Sequence, residues 1–142
     1  MTDWLLTPPL TASEPLAWQV SRIGEAALLR VDGAIDLSTV YLFRVALRRG
    51  RAVSPTVIVD LSGVSFVDLA AVQALEHAYH RWHRTGGRLI VVASAPRVRR
   101  MLEFVHGRRF LVVTPSVGMA LQLLGQEAGA ETGADGTRPA GR

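Results

Sequence analysis

The sequence predicts an α/β fold, a mostly parallel mixed sheet of about five strands carrying about four helices. Short apolar runs rich in β-branched residues, Val57-Ile58-Val59 and Leu89-Ile90-Val91-Val92, read as strands covered on both faces, being too short for buried helices. Between them lie segments with helical periodicity; Val72, Leu75, Tyr79 and Trp82 fall three, four and three residues apart and form one stripe. Glycine, proline and aspartate stand at the junctions. The alternation β-β-α-β-α-β-α-β-α implies right-handed parallel crossovers, with one antiparallel hairpin partner at the start.

Leu16 to Arg22 and Ala26 to Val31 form the hairpin, with Ile23-Gly24-Glu25 as its turn. Gly33-Ala34-Ile35-Asp36 breaks that pattern, and Asp36 or Ser38 is placed to cap a helix from about Thr39 to Arg49, its inner stripe Val40, Phe43 and Leu47. Gly50 is expected to end it. The central strand begins at Thr56 and is expected to stop at Asp60, where Asp60-Leu61-Ser62-Gly63 opens a turn that ends in Asp68. Asp68 is the expected N-cap of the next helix, which carries Gln73, His77, Arg81 and Arg84 on its polar side. Gly86-Gly87 stops that helix and Arg88 to Ala93 forms the next strand. Pro96 opens a helix over about Arg97 to His106 with Val98, Met101, Leu102 and Val105 inward, closed by Gly107. Leu111 to Val113 is the last strand, and Ser116 to Leu124 a final helix burying Val117, Ala120, Leu121 and Leu124. Residues 1–14 are expected to be a flexible arm, 15–125 the folded domain and 126–142 a disordered tail, since Gln126 onward offers almost no apolar side chain larger than alanine.

Composition narrows the chemistry. The 142 residues, 49% of them hydrophobic, suit one domain with a sizeable core. With no cysteine, disulfides, zinc thiolates, iron–sulfur clusters and cysteine nucleophiles are excluded, and a reducing cytoplasm is the natural setting. Neither an export signal nor an apolar span of membrane length is read in the sequence. All 16 Lys+Arg residues are arginine, and between Leu16 and Gly125 there are 14 arginines against 7 acids, so the folded part favours acidic partners. Direct nucleic-acid binding is not expected, because no aromatic platform or recognition-helix pattern accompanies the arginines.

The order of elements, Gly33-Ala34-Ile35-Asp36 before the first helix, Asp60 to Asp68 (DLSGVSFVD) before the second, Gly86-Gly87, and Ser94-Ala95-Pro96 before the Val98 to Leu102 helix together resemble the STAS domain of anti-sigma factor antagonists and sulfate transporters. The resemblance covers roughly Leu16 to Leu124 and implies a STAS-like fold, a non-catalytic module and no cofactor. It further implies that the loop before the second helix docks on a serine kinase-type anti-sigma factor or another protein subunit, with Asp36, Ser38, Ser65, Asp68, Leu69, Ala70 and Ala71 as the contact positions. A homodimer is left open. In the bacterial members a serine directly after the aspartate is phosphorylated, which breaks the contact by charge and desolvation. Here Leu69, Ala70 and Ala71 follow Asp68, so Leu69 holds a degenerate phosphorylation position. A constitutive or differently regulated antagonist and a structural subunit of a transporter or signalling assembly are the two resulting expectations.

Other constellations carry less. Ser62 and Ser65 are hydroxyls near the turn whose commoner use is local hydrogen bonding. His77, His80 and His83 recur every third residue and sweep around a helix, so they do not converge on one metal. No Gly-x-Ser-x-Gly elbow is present, and Gly86-Gly87 leads into a strand where a phosphate-binding loop must lead into a helix. Arg97, Arg99 and Arg100 open a helix at the end where positive charge opposes its dipole.

Overall fold

The hairpin pairs antiparallel from Ala17↔Asp32 to Ile23↔Ala26, which leaves Gly24-Glu25 as a two-residue loop with Gly24 at φ +61°. In the computed structural model, which describes residues 16–106 and 111–126, the elements are β1 (Ala17–Ile23), β2 (Ala26–Ile35), α1 (Val40–Val53), β3 (Thr56–Val67), α2 (Leu69–Arg84), β4 (Arg88–Val92), α3 (Pro96–His106) and β5 (Val112–Thr114). A last helix, α4, covers residues 117–126. The expected arm over 1–14, the stop at Gly107 and residues 127–142 of the expected tail lie outside the described residues, whereas Gln126, placed in that tail, is the last residue of α4.

The sheet order is β1-β2-β3-β4-β5, with every pair after the first parallel. When neighbouring strands follow chain order, crossovers of one hand deliver every connecting helix to the same face. Residues of α1, α2 and α3 accordingly share one buried cluster with Val57, Val59 and Val91, including Phe43, Leu47, Val72, Leu75, Trp82, Val98 and Leu102. The opposite face, through Ile58, Ile90 and Val92, packs on α4 by Ala120, with Val117, Leu121 and Leu124 partly buried beside it. The consecutive β-branched residues of β3 are thus divided between two cores, as an apolar run covered on both sides requires.

Three boundaries differ from those expected. Strand β2 runs through the expected break to Ile35, with Gly33 at φ +113°. Helix α1 continues past Gly50, which is buried inside it; a Cβ there would stand 3.1 Å from Val57 Cγ1, so the glycine permits close approach of α1 to β3. Asp60 does not end β3. The strand continues to Val67, paired with β2 through two irregularities, between Arg30 and Asp32 and between Gly33 and Ala34. At each, β3 carries one more residue than β2, as at a β-bulge. Core residues two apart at Val57, Val59 and Leu61 therefore become three apart at Leu61, Val64 and Val67, and the intervening Ser62-Gly63 and Ser65-Phe66 are exposed. A Cβ on Gly63 would overlap the carboxylate of the exposed Asp32 side chain, which would have to swing aside to admit it. Asp60 itself is buried, accepts from the Ser62 N–H at 3.0 Å and lies 3.5 Å from Arg30 Nε.

Phe43 is the largest fully buried side chain and sits where α1 meets the sheet. Phe43→Ala is expected to cost about 3–5 kcal/mol of stability, read as a lower urea midpoint with an unchanged slope.

Candidate functional site

The parallel pairing of Ile35 with Val67 ends β2 and β3 side by side, and the Asp68 N–H donates to the Ile35 carbonyl at 3.2 Å. The two chain exits, Asp36 toward α1 and Asp68 toward α2, therefore form one tip at the C-terminal edge of the sheet, where α/β proteins build binding surfaces.

Each exit is tied down by its aspartate. Asp68, in extended conformation, is the N-cap of α2 and its carboxylate accepts from the Ala70 N–H at 2.9 Å. Asp36 acts one turn earlier than a cap of α1: its Oδ1 accepts from the Ser38 hydroxyl at 2.7 Å, the Ser38 N–H at 2.9 Å and the Thr39 N–H at 3.1 Å. Thr39, not Asp36 or Ser38, is the N-cap residue of α1, and its side chain makes no capping bond. Instead the Thr39 hydroxyl donates to the Ala34 carbonyl at 2.8 Å and accepts from the Asp36 N–H at 2.9 Å, closing the turn. The Ser38 hydroxyl does most to hold the Asp36 carboxyl below its ordinary pKa; desolvation opposes it, and the N–H groups of Ser38 and Thr39 with the Thr39 hydroxyl add to the lowering.

Around these anchors the apolar side chains point outward. Leu69, the first residue of α2, is 50% exposed, and Leu37, Tyr41 and Phe66 are 79%, 62% and 45% exposed. Four of the six large hydrophobic side chains exposed among the described residues thus belong to this one end. Ser38 and Ser65 are exposed there as well, Ser65 as the extra residue of the second bulge. Ala70 is partly buried, whereas Ala71 is fully buried and packs in the core, so it lies beneath the tip and not on it. Ser62 is exposed on β3 and not within a turn.

Leu37, Tyr41 and Phe66 were not among the expected contact positions. Leu37 and Tyr41 carry a signal in hindsight, since both are apolar yet fall off the Val40, Phe43, Leu47 stripe. Phe66 adjoins Val67, which enters the helical core, and so lies on the other side of β3, where it is exposed.

Elsewhere, His83 stacks on the Tyr79 ring at 5.7 Å and His80 meets its edge at 5.2 Å. Among the described residues no group of three His, Cys, Asp or Glu could hold a metal. Arg99 folds back to donate to the Ala93 and Ser94 carbonyls at 3.3 and 3.4 Å, leaving Arg97 and Arg100 exposed. No helix among the described residues is long and apolar enough to cross a membrane.

Fold and tip define a small α/β module that presents a capped, apolar helix start beside a second loop. The chain belongs to the STAS domain family, whose model matches residues 17–120. No curated protein matches. Among solved structures, an anti-sigma factor antagonist from Mycobacterium paratuberculosis is similar at 23% identity and TM-score 0.72, over 80% of this chain and 97% of that one. The Bacillus anti-sigma factor antagonist SpoIIAA in its unphosphorylated form is similar at 19% identity and TM-score 0.57, over 76% of this chain and 97% of that one. Murine Slc26a9, an anion transporter, is similar at 24% identity and TM-score 0.59, over 72% of this chain but 18% of the transporter. These likenesses establish the fold.

Removing the α2 cap with Asp68→Ala is expected to lower stability by about 1 kcal/mol, measured by chemical denaturation. Because Asp36 is depressed in the folded state, its contribution is present above the ordinary carboxylate pKa and is lost as pH falls through the lower folded value. The Ser38 and Thr39 amide signals should therefore titrate in that acidic window, and Asp36→Asn should abolish the titration while keeping the turn.

Proposed function

We propose that this chain is a non-catalytic protein-binding module of the anti-sigma factor antagonist kind, and that its tip docks on a serine kinase-type anti-sigma factor. The observation that carries this reading is Leu69: half exposed, at the first position of α2, directly after the capping Asp68. A hydroxyl at that position would stand where a phosphate adds up to two negative charges to a docking face. A leucine there supplies contact area and cannot be modified, so the module binds constitutively and its control lies outside this position. Leu37 and Tyr41 extend the same apolar face from the neighbouring exit, and the capped turns hold it in shape before binding, which reduces the ordering cost of association. The setting is the cytoplasm, where such partners reside.

The fold likeness to a transporter's STAS region, together with the missing hydroxyl, favours one further reading: a structural subunit that uses the tip within a larger assembly. Purified chain mixed with anti-sigma factors of the serine kinase type, measured by calorimetry, separates the two. Binding that weakens at least tenfold in Leu37→Ala/Leu69→Ala supports the antagonist. With ATP present, Leu69→Ser is expected to become a substrate of the bound kinase and then to dissociate from it. Absence of binding by the natural chain, with transporter or scaffold subunits recovered instead, refutes the antagonist reading.

A further inference from the structure

Away from the tip, one cleft breaks the rules of helix electrostatics. Helices α1 and α2 carry six arginines and a single acid, Glu76. Between them runs a groove of about 170 Å³, walled by Arg44 and Arg48 from α1 and His77 and Arg81 from α2. Arg44 and Arg48 are four residues apart, as are His77 and Arg81, so each helix sets basic side chains next to one another, an arrangement that destabilises a helix when both are charged. The two pairs then face each other across the cleft. Glu76 does not line it, and among the described residues none of these four side chains is held by a carboxylate or a hydrogen bond. Arg51 adds another positive charge against Trp82, which lines the same groove, its guanidinium 5.9 Å from the ring centre.

We propose that this groove binds a small anion bearing a phosphate group. Guanidinium forks match the oxygens of a tetrahedral phosphate two at a time, and converging cations from two helices offer that geometry from both sides. The floor decides between a small ligand and a protein. Leu47, Ala74 and Trp82 are 3%, 2% and 6% exposed, and only Ala78 adds a partly buried methyl group, so little apolar area remains for a protein partner to cover, while Arg48, His77 and Arg81 are exposed and Arg44 partly so. The volume suits a phosphate with at most a small organic body. The site is separate from the tip: His77 lies eight residues beyond Leu69, about 12 Å along the axis of α2. It does not depend on the antagonist reading.

The test is an amide NMR titration of the full chain with sodium phosphate and with phenyl phosphate, against sodium chloride at equal ionic strength. Saturable shifts at Arg44, Arg48, His77 and Arg81 are expected with both phosphates and not with chloride. Arg48→Gln/Arg81→Gln should weaken binding at least tenfold, and Arg97→Gln/Arg100→Gln on α3 should leave it unchanged. Tighter binding of phenyl phosphate identifies a phosphomonoester as the ligand class; equal affinity identifies inorganic phosphate. A thermal scan supplies a second readout that does not require the variant to bind. Without anion, the groove variant should melt above the natural chain because the repulsion is relieved, and saturating phosphate should narrow that gap by stabilising only the natural chain. Shifts that do not saturate, or that scatter over all the arginines, overturn the proposal, as does equal loss in the α3 variant.

Discussion

The tip depends on how β3 stays paired with β2 beyond Asp60. A strand that kept strict alternation would send Ser62, Val64 and Phe66 to one face and Gly63, Ser65 and Val67 to the other. Two extra residues change the spacing, so that Leu61, Val64 and Val67 all enter the helical core. The parallel ladder consequently reaches Ile35↔Val67. Without that last rung, the loops carrying Asp36 and Asp68 would have no common frame. Gly33, at φ +113° beside the second irregularity, is where this arrangement is least tolerant of a side chain.

Most of the architecture was legible because apolar patterning follows the backbone period. The stripe Val72, Leu75, Tyr79 and Trp82 marks α2, and the β-branched run at Val57 marks the centre of the sheet, since each periodicity has one cheap structural solution. The stretch Asp60 to Val67 was not legible as strand. Its core positions fall every third residue, which belongs to neither a helix nor a regular strand, and Asp-Leu-Ser-Gly has the composition of a turn. Gly50 misled for a related reason: glycine reads as a terminator, but here it serves tight packing of α1 on Val57.

The candidate site was legible in part. Asp68 as a cap followed from its place before an apolar stripe, and Leu69 as an expected contact position from the resemblance alone. Ala71 shows the limit of carrying positions over by motif: three consecutive residues at a helix start point in three directions, and the third turns into the core. The exposure of Tyr41 and Phe66 depends on how α1 is rotated against the sheet and on what covers the end of β3, which only the fold reveals. Polar anchoring beneath an exposed apolar rim is thus a tertiary property. Thr39 typifies it, joining Ala34 to Asp36 through one hydroxyl.

Strand order has a further consequence for how the chain is made. Because the three connecting helices all settle on one side, the Ile58, Ile90 and Val92 face has to wait for residues 117–126, which leave the ribosome last among the described elements. Until then the nascent chain holds a half-clad sheet, sticky on one side and sealed on the other.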